Sequence, residues 1–271
     1  MKAAAFDFDR ADTLAEALVS ETGDKPVAGN QSLGPMMNLR LVRARRLIDI
    51  ATVPELRAIV ETPEYVRFGA ATTHAEVEDG ETPDPTSGWM RAAASNIAHR
   101  AVRNRGTMGG SLAHADPAAD WVIVLTGLEA TVVVVAGPDG ERRIPMADFM
   151  TGPYTTALGD NELLVAVEVP RPGPAARWGY WKFMRQVGEF AKASATVLID
   201  PENGRHLCAL GALGGPPVVL PDPLAIIERR VSAADIVPSA LAGRPLQSFA
   251  MHVAALERAL ARALGEEEDG A

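Results

Sequence analysis

The sequence predicts an α+β protein built from three consecutive units, residues 1–57, 58–170 and 171–271. Three observations predict it. Short helix and strand signals interleave irregularly up to Pro170, Arg171-Pro-Gly-Pro follows as the clearest linker, and a strand–hairpin–helix pattern occupies the rest.

In the first unit, Thr13 and Glu16 stand at capping-box spacing beside the apolar face of Leu14, Ala17 and Leu18, which predicts a short helix that Gly23 can terminate. Lys25-Pro-Val-Ala-Gly reads as a strand running into a glycine-bearing loop. Leu47-Ile-Asp-Ile reads as another strand, and Thr52-Val-Pro-Glu as a second capping-box helix start backed by Leu56, Ile59 and Val60. The unit is βαβ-like.

In the second unit, Val66-Arg-Phe-Gly-Ala is strand-like, and residues 89–102 carry helical spacing through Met90, Ala94, Ile97, Ala98 and Ala101. After a glycine-rich turn, Asp116-Pro117 predicts a helix with Asp as cap and Pro in the first turn. Thr131-Val-Val-Val-Val is a buried strand, Gly137-Pro-Asp-Gly its hairpin turn and Arg142 to Ile144 the return, while Leu163 to Val169 forms a further strand. In the third unit, strands at Ala195 to Ile199 and Leu207 to Leu213 flank a turn at Asp200-Pro-Glu-Asn-Gly. A last helix from about Ser248 places Phe249, Val253, Leu256, Leu260 and Leu264 on one stripe. The acidic tail from Gly265 reads as a frayed, solvated end.

The 271 residues carry 26 Lys and Arg against 35 Asp and Glu, a formal charge of −9. That balance argues against a nucleic-acid partner, which needs clustered cations to displace counterions. One cysteine, Cys208, excludes a disulfide framework, a zinc finger and a protein-held iron–sulfur cluster, and points to a reducing cytoplasm. Acidic residues in Met-Lys-Ala-Ala-Ala-Phe-Asp-Phe-Asp argue against an export signal. No apolar run approaches the ~18 residues a membrane span needs. No nucleophile or acid–base constellation stands out, so no catalytic residue is assigned. His114 lacks a second His or Cys at ligand spacing, so no metal site is assigned either.

Two segments carry chemistry. One is Ala28-Gly-Asn-Gln-Ser-Leu-Gly-Pro, entered from an apolar strand. The other is Asn104-Arg-Gly-Thr-Met-Gly-Gly-Ser-Leu-Ala-His-Ala-Asp-Pro, leading into a helix. Glycines let backbone amides approach a ligand, and consecutive amides at positive φ make a concave anion nest. Ser32, Thr107 and Ser111 add small hydroxyls. Taken singly, each segment also reads as an ordinary tight turn; together they suit the two ends of a long dinucleotide. Neither spacing matches the nicotinamide fingerprint or a Walker loop, so a doubly wound dinucleotide domain is not expected. Arg100, Arg103 and Arg105 precede the second segment and are open to phosphate steering, subunit contact or plain solvation.

Ala28-Gly-Asn-Gln-Ser-Leu, Met37-Asn-Leu-Arg and Arg103-Asn-Arg-Gly-Thr-Met-Gly-Gly-Ser-Leu-Ala-His-Ala-Asp-Pro-Ala-Ala-Asp closely resemble the FAD-binding medium subunit of molybdenum hydroxylases, the family of aerobic carbon monoxide dehydrogenase and the flavin domain of xanthine dehydrogenase. Thr151-Gly-Pro-Tyr-Thr-Thr, Asn161-Glu-Leu-Leu-Val-Ala-Val-Glu-Val-Pro and Tyr180-Trp-Lys-Phe-Met-Arg are also similar to family segments.

The resemblance implies two α+β subdomains clasping FAD, followed by a small α+β domain with an antiparallel sheet. It implies that Ala28, Gly29, Asn30, Gln31 and Ser32 cradle the pyrophosphate. Thr107, Met108, Gly109, Gly110 and Ser111 would contact the phosphates and the flavin side. Asp120 would bind sugar or ribityl hydroxyls, Leu164 would pack near a ring, and Lys182 would reach the flavin's polar edge, where a cation raises the potential. Apart from the resemblance, Asp116 reads as a helix cap, Asp120 as a favourable N-terminal charge, and Lys182 as a strand residue facing water. Asn30 replaces a family glycine, and Glu189 a family aspartate.

The implied function is electron transfer. Such a chain takes electrons from a small [2Fe–2S] subunit and passes them through FAD to an external acceptor. Hydroxylation belongs to a large molybdenum-cofactor subunit, within a dimer of heterotrimers. The alternatives are a freestanding FAD-dependent oxidoreductase and a flavin-free scaffold subunit.

Overall fold

The computed structural model describes residues 2–18, 21–137, 140–244 and 249–266. Three short parallel strands open the chain: β1 (Asp7–Arg10), β2 (Asp24–Val27) and β3 (Arg46–Asp49), in the order β1-β3-β2. Parallel neighbours need crossovers, and α1 (Leu14–Ala17) and α2 (Leu33–Asn38) lie within them. Thr13 accepts the Glu16 N–H at 3.3 Å, and Glu16 reaches back to the Asp12 N–H at 2.8 Å, one residue earlier than a capping box requires. The helix closes at Leu18, well before Gly23.

The second expected capping box is absent. α3 (Pro54–Arg57) is a single turn preceded by Val53, with no side-chain cap from Thr52. Ile59 and Val60 leave the helix for β4 (Ile59–Glu61), where β5 (Tyr65–Gly69) offers a pairing edge that suits β-branched side chains. A genuine capping box opens α4 (His74–Asp79), between Thr73 and Glu76.

The helix expected over 89–102 is two helices, α5 (Trp89–Ser95) and α6 (Arg100–Arg103), separated where Ala98 turns left-handed at φ 42°. The glycine-rich segment after it contains a helix, α7 (Met108–His114), capped by Thr107. Asp116-Pro117 is a turn in which Asp116 Oδ1 accepts the Ala118 N–H at 2.9 Å. The helix expected there, α8 (Asp120–Gly127), starts after Ala119. All eight residues of α8 are buried.

Next come β6 (Thr131–Val135), β7 (Glu141–Pro145), α9 (Met146–Phe149), the small pair β8 (Met150–Gly152) and β9 (Thr155–Thr156), and β10 (Leu163–Pro170). Pro138 and Asp139 of the expected hairpin turn lie outside the described residues. An antiparallel sheet runs β4-β5-β10-β6-β7. Central β10 is a continuous buried run, as a strand covered on both faces should be. Its buried Glu168 is held by Arg67 at 3.2 Å and Arg143 at 3.0 Å.

Beyond the linker, β11 (Arg177–Phe183), β12 (Ala193–Asp200), β13 (Arg205–Gly211) and β14 (Val218–Val219) form an antiparallel sheet in chain order. α10 (Pro223–Ile227) and α11 (Ala233–Ala240) precede α12 (Ala250–Leu264), which buries Leu256 and Leu260 against a core shared with the inner face of that sheet. Ser248 and the tail beyond Glu266 lie outside the described residues.

The packing joins the units. One core cluster takes in Ile48 and Ile50 from the first, most of the second, and Leu198, Leu207 and Ala209 from the third. The first unit's own small core comprises Val27, Met37, Ala44 and Leu47. Its position is therefore set by burial against its neighbours, which fixes the loop after β2 relative to α7.

Candidate functional site

The first loop begins where β2 ends and leads into α2. Gly29 is buried beneath the second segment: a Cβ there would stand 1.9 Å from the Arg105 carbonyl oxygen and 2.8 Å from Gly106 Cα. The two segments touch. The nest of left-handed glycines expected from sequence is not what the backbone builds. In these two segments no glycine has positive φ, and Asn30 alone takes the left-handed conformation in the first, at φ 58°. Glycine is needed at 29 for closeness, and the left-handed position falls to a residue type that tolerates it.

Among the described residues, none of the backbone N–H groups of Gly29, Asn30, Gln31, Ser32 and Leu33 has an intramolecular acceptor. The second segment differs. Met108 N–H bonds Thr72 O at 2.9 Å, Gly109 N–H bonds Ala70 O at 2.9 Å, and Gly110 N–H bonds Thr107 Oγ1 at 3.1 Å. The first segment therefore offers donors, and the second a small-residue wall.

The two segments line one cavity of about 630 Å³, within the range of small-molecule sites. Ala28, Gly29, Asn30, Gln31 and Ser32 form one wall, Thr107, Gly110 and Ser111 another, and Asp120 joins them. Four expected residues are not on the walls. Met108 and Gly109 turn inward, Gly109 lying against Ala70, and Leu164 is buried in β10. Lys182, expected at the ligand's edge, is buried with its Nζ 2.8 Å from Asp120 Oδ1 and 2.7 Å from the Asn96 carbonyl. Tyr180 donates its hydroxyl to the same Asp120 oxygen at 2.5 Å. Burial raises the Asp120 carboxyl above its ordinary range, opposed by the Lys182 charge and both hydrogen bonds. Burial, then the Asp120 charge, pushes the Tyr180 phenol well up.

Residues 4–172 match the model of the FAD binding domain in molybdopterin dehydrogenase. The chain belongs to this family. It is 38% identical over 201 residues to the nicotine 6-hydroxylase medium subunit of Paenarthrobacter nicotinovorans, covering 74% of this chain and 70% of that one. It is 37% identical over 187 residues to the carbon monoxide dehydrogenase medium chain of Hydrogenophaga pseudoflava, covering 68% and 65%. A chain of quinoline 2-oxidoreductase from Pseudomonas putida 86 superposes with a TM-score of 0.84 at 30% identity, covering 98% of this chain and 99% of that one.

FAD is the cofactor, and the residues present fit it. Consecutive unpaired N–H groups on a cavity wall are what a pyrophosphate requires, and the cavity has room for a dinucleotide. The cavity also has walls that sequence reading missed. His74, the first residue of α4, is buried, and its Nδ1 accepts the Trp121 indole N–H at 2.9 Å. Burial, with a smaller contribution from Arg103, lowers its pKa to about 4. Asp116 Oδ2 accepts the Tyr154 hydroxyl at 3.2 Å, and burial followed by the Asp116 charge raises that phenol. Glu189 and Phe190 of the loop after β11 complete the cavity. The capping box at Thr73 and Glu76 was readable as a helix start, but only the bridge between Thr73 and Thr107 shows where that helix points.

Of Arg100, Arg103 and Arg105, Arg100 pairs with Glu78 at 3.0 Å and with Asp79, and Arg103 pairs with Glu78 at 2.7 Å. No group of three or more His, Cys, Asp or Glu among the described residues could hold a metal ion. No helix among them is long and apolar enough to cross a membrane.

Proposed function

We propose that this chain is the electron-transfer flavin subunit of a molybdenum hydroxylase, receiving electrons from a partner [2Fe–2S] subunit and delivering them to an external acceptor. The observation that carries this reading is the row of unpaired N–H groups from Gly29 to Leu33 on the wall of the FAD cavity. Bound FAD supplies acceptance and release of one or two electrons; the protein's task is to bind it, orient it and set its surroundings. Ala28 to Ser32 hold the pyrophosphate. Thr107, Gly110 and Ser111 face the phosphates and the flavin side, with Met108, Gly109 and Leu164 supporting them from behind. Asp120 receives a sugar or ribityl hydroxyl. Lys182 and Tyr180 act through Asp120, fixing its oxygen and balancing its charge.

Cys208 is buried, and burial raises its thiol to about 12. An iron–sulfur cluster therefore belongs on another chain. The relatives are named as medium subunits and medium chains, which supports an assembly with further subunits; in our reading these are a small [2Fe–2S] subunit and a large molybdenum-cofactor subunit, in the cytoplasm, as a dimer of heterotrimers. Asn30, the residue that favoured a flavin-free scaffold, sits at a left-handed position that asparagine tolerates, and the loop keeps its open amides. Co-purification of the chain with the products of its neighbouring genes tests the reading. It expects one FAD per chain and flavin bleaching when organic substrate is added to the complex. A complex that is colourless and takes up no added FAD overturns it.

A further inference from the structure

We propose that His74 is an additional binding residue, donating its Nε2–H to a pyrophosphate oxygen of the dinucleotide; this rests on the FAD reading above. Nδ1 already accepts the Trp121 indole N–H at 2.9 Å. A neutral imidazole carries one proton, so the proton must sit on Nε2 and that nitrogen can only donate. The hydrogen bond of this ring is the one at Nδ1, and among the described residues nothing accepts from Nε2. The ring is 4% exposed, yet it lies on the cavity wall. Its Nε2–H is open to the cavity, where an anion bound against that wall can accept from it.

The neighbouring glycines give the direction. A Cβ on Gly106 would stand 2.8 Å from His74 Nε2, so glycine at 106 leaves that nitrogen uncovered. Gly106 Cα in turn lies 2.8 Å from the place of a Gly29 Cβ. The donor therefore sits at the contact between the two segments, beside the start of the amide row. A neutral donor there adds a hydrogen bond to the anion while the ring stays uncharged, which burial enforces.

The test uses the full chain, in the assembly with which it purifies, stripped of flavin. FAD affinity is read from flavin fluorescence and ADP affinity by calorimetry, for wild type, His74→Leu and His74→Gln. The glutamine amide nitrogen can reach the region of the imidazole Nε2. His74→Leu is expected to weaken FAD and ADP alike by roughly tenfold to a hundredfold, the value of a hydrogen bond to a charged group, and His74→Gln to recover most of the loss. A folded leucine variant that binds both as wild type does overturns the proposal. Loss for FAD with ADP unaffected also overturns it, because the donor then serves the flavin end. If the leucine variant fails to fold, ¹⁵N NMR of the wild-type imidazole decides: an Nε2-protonated ring whose N–H resonance moves on adding ADP supports the assignment, and an Nδ1-protonated or unmoved ring refutes it. A wild-type assembly that takes up ADP and no FAD refutes the cofactor reading itself.

Discussion

Replacing Gly29 with alanine tests the contact on which the site depends. The new methyl carbon would lie 1.9 Å from the Arg105 carbonyl oxygen, with backbone on all three nearest sides. Restoring ordinary contact requires the two segments to part by about 1.5 Å. Backbone cannot swing aside as a long side chain would, so strain of about 1–3 kcal/mol is expected, read as roughly 2–4 °C of Tm per kcal/mol. Parting also moves the N–H row off its ligand. Losing one or two hydrogen bonds to the pyrophosphate costs about 2–4 kcal/mol, or roughly 30- to 1,000-fold in Kd. The assay is FAD content per chain and FAD titration of the flavin-free protein, alongside thermal melting. Gly204→Ala is the control: Gly204 has φ 63° with nothing within 4 Å, so it costs about 1 kcal/mol of left-handed strain with FAD binding unchanged. A Gly29→Ala protein with wild-type Kd and Tm would refute the reasoning.

Three further outcomes are expected. His74 is neutral in the fold with its pKa lowered to about 4, so the unfolded chain binds more protons between that value and 6.5. The stability it contributes is complete above pH 6.5 and falls away as pH drops toward 4, by up to about 3 kcal/mol; denaturant titrations of His74→Gln across that window should lack this acid-labile component. Lys182→Met strands Asp120 in a buried site and should destabilise by roughly 3–5 kcal/mol at neutral pH. Protonation lets a raised Asp120 be buried neutral, so melting should recover as pH falls to 5 and in the Lys182→Met, Asp120→Asn double variant, and an equal loss at both pH values would count against the pairing. Asn30→Gly should bind FAD within about threefold of wild type, whereas Asn30→Val, β-branched at φ 58°, should lose roughly 1–2 kcal/mol of stability and bind measurably less.

Several elements were readable because their signals are local. The strand of Thr131 to Val135, the strand ending at Pro170 and the apolar stripe of the last helix depend on side chains a few positions apart. Thr52, Ile59 and Val60 misled for the opposite reason: a helical spacing was overruled by a pairing edge at Tyr65–Gly69. In the second segment the glycines concealed a capped helix, since Gly109 and Gly110 were read for handedness while their packing and cap bonds come from Ala70 and Thr107.

Residue order alone determined that two small-residue segments exist and which family pattern they carry. These are properties of residue type and spacing. Only the tertiary structure decided that Gly29 meets Arg105, that Lys182 faces Asp120 and not the cavity, and that His74 joins the wall. Each of those depends on burial between elements distant in the chain, where shape and desolvation choose the partner and no local pattern records the choice.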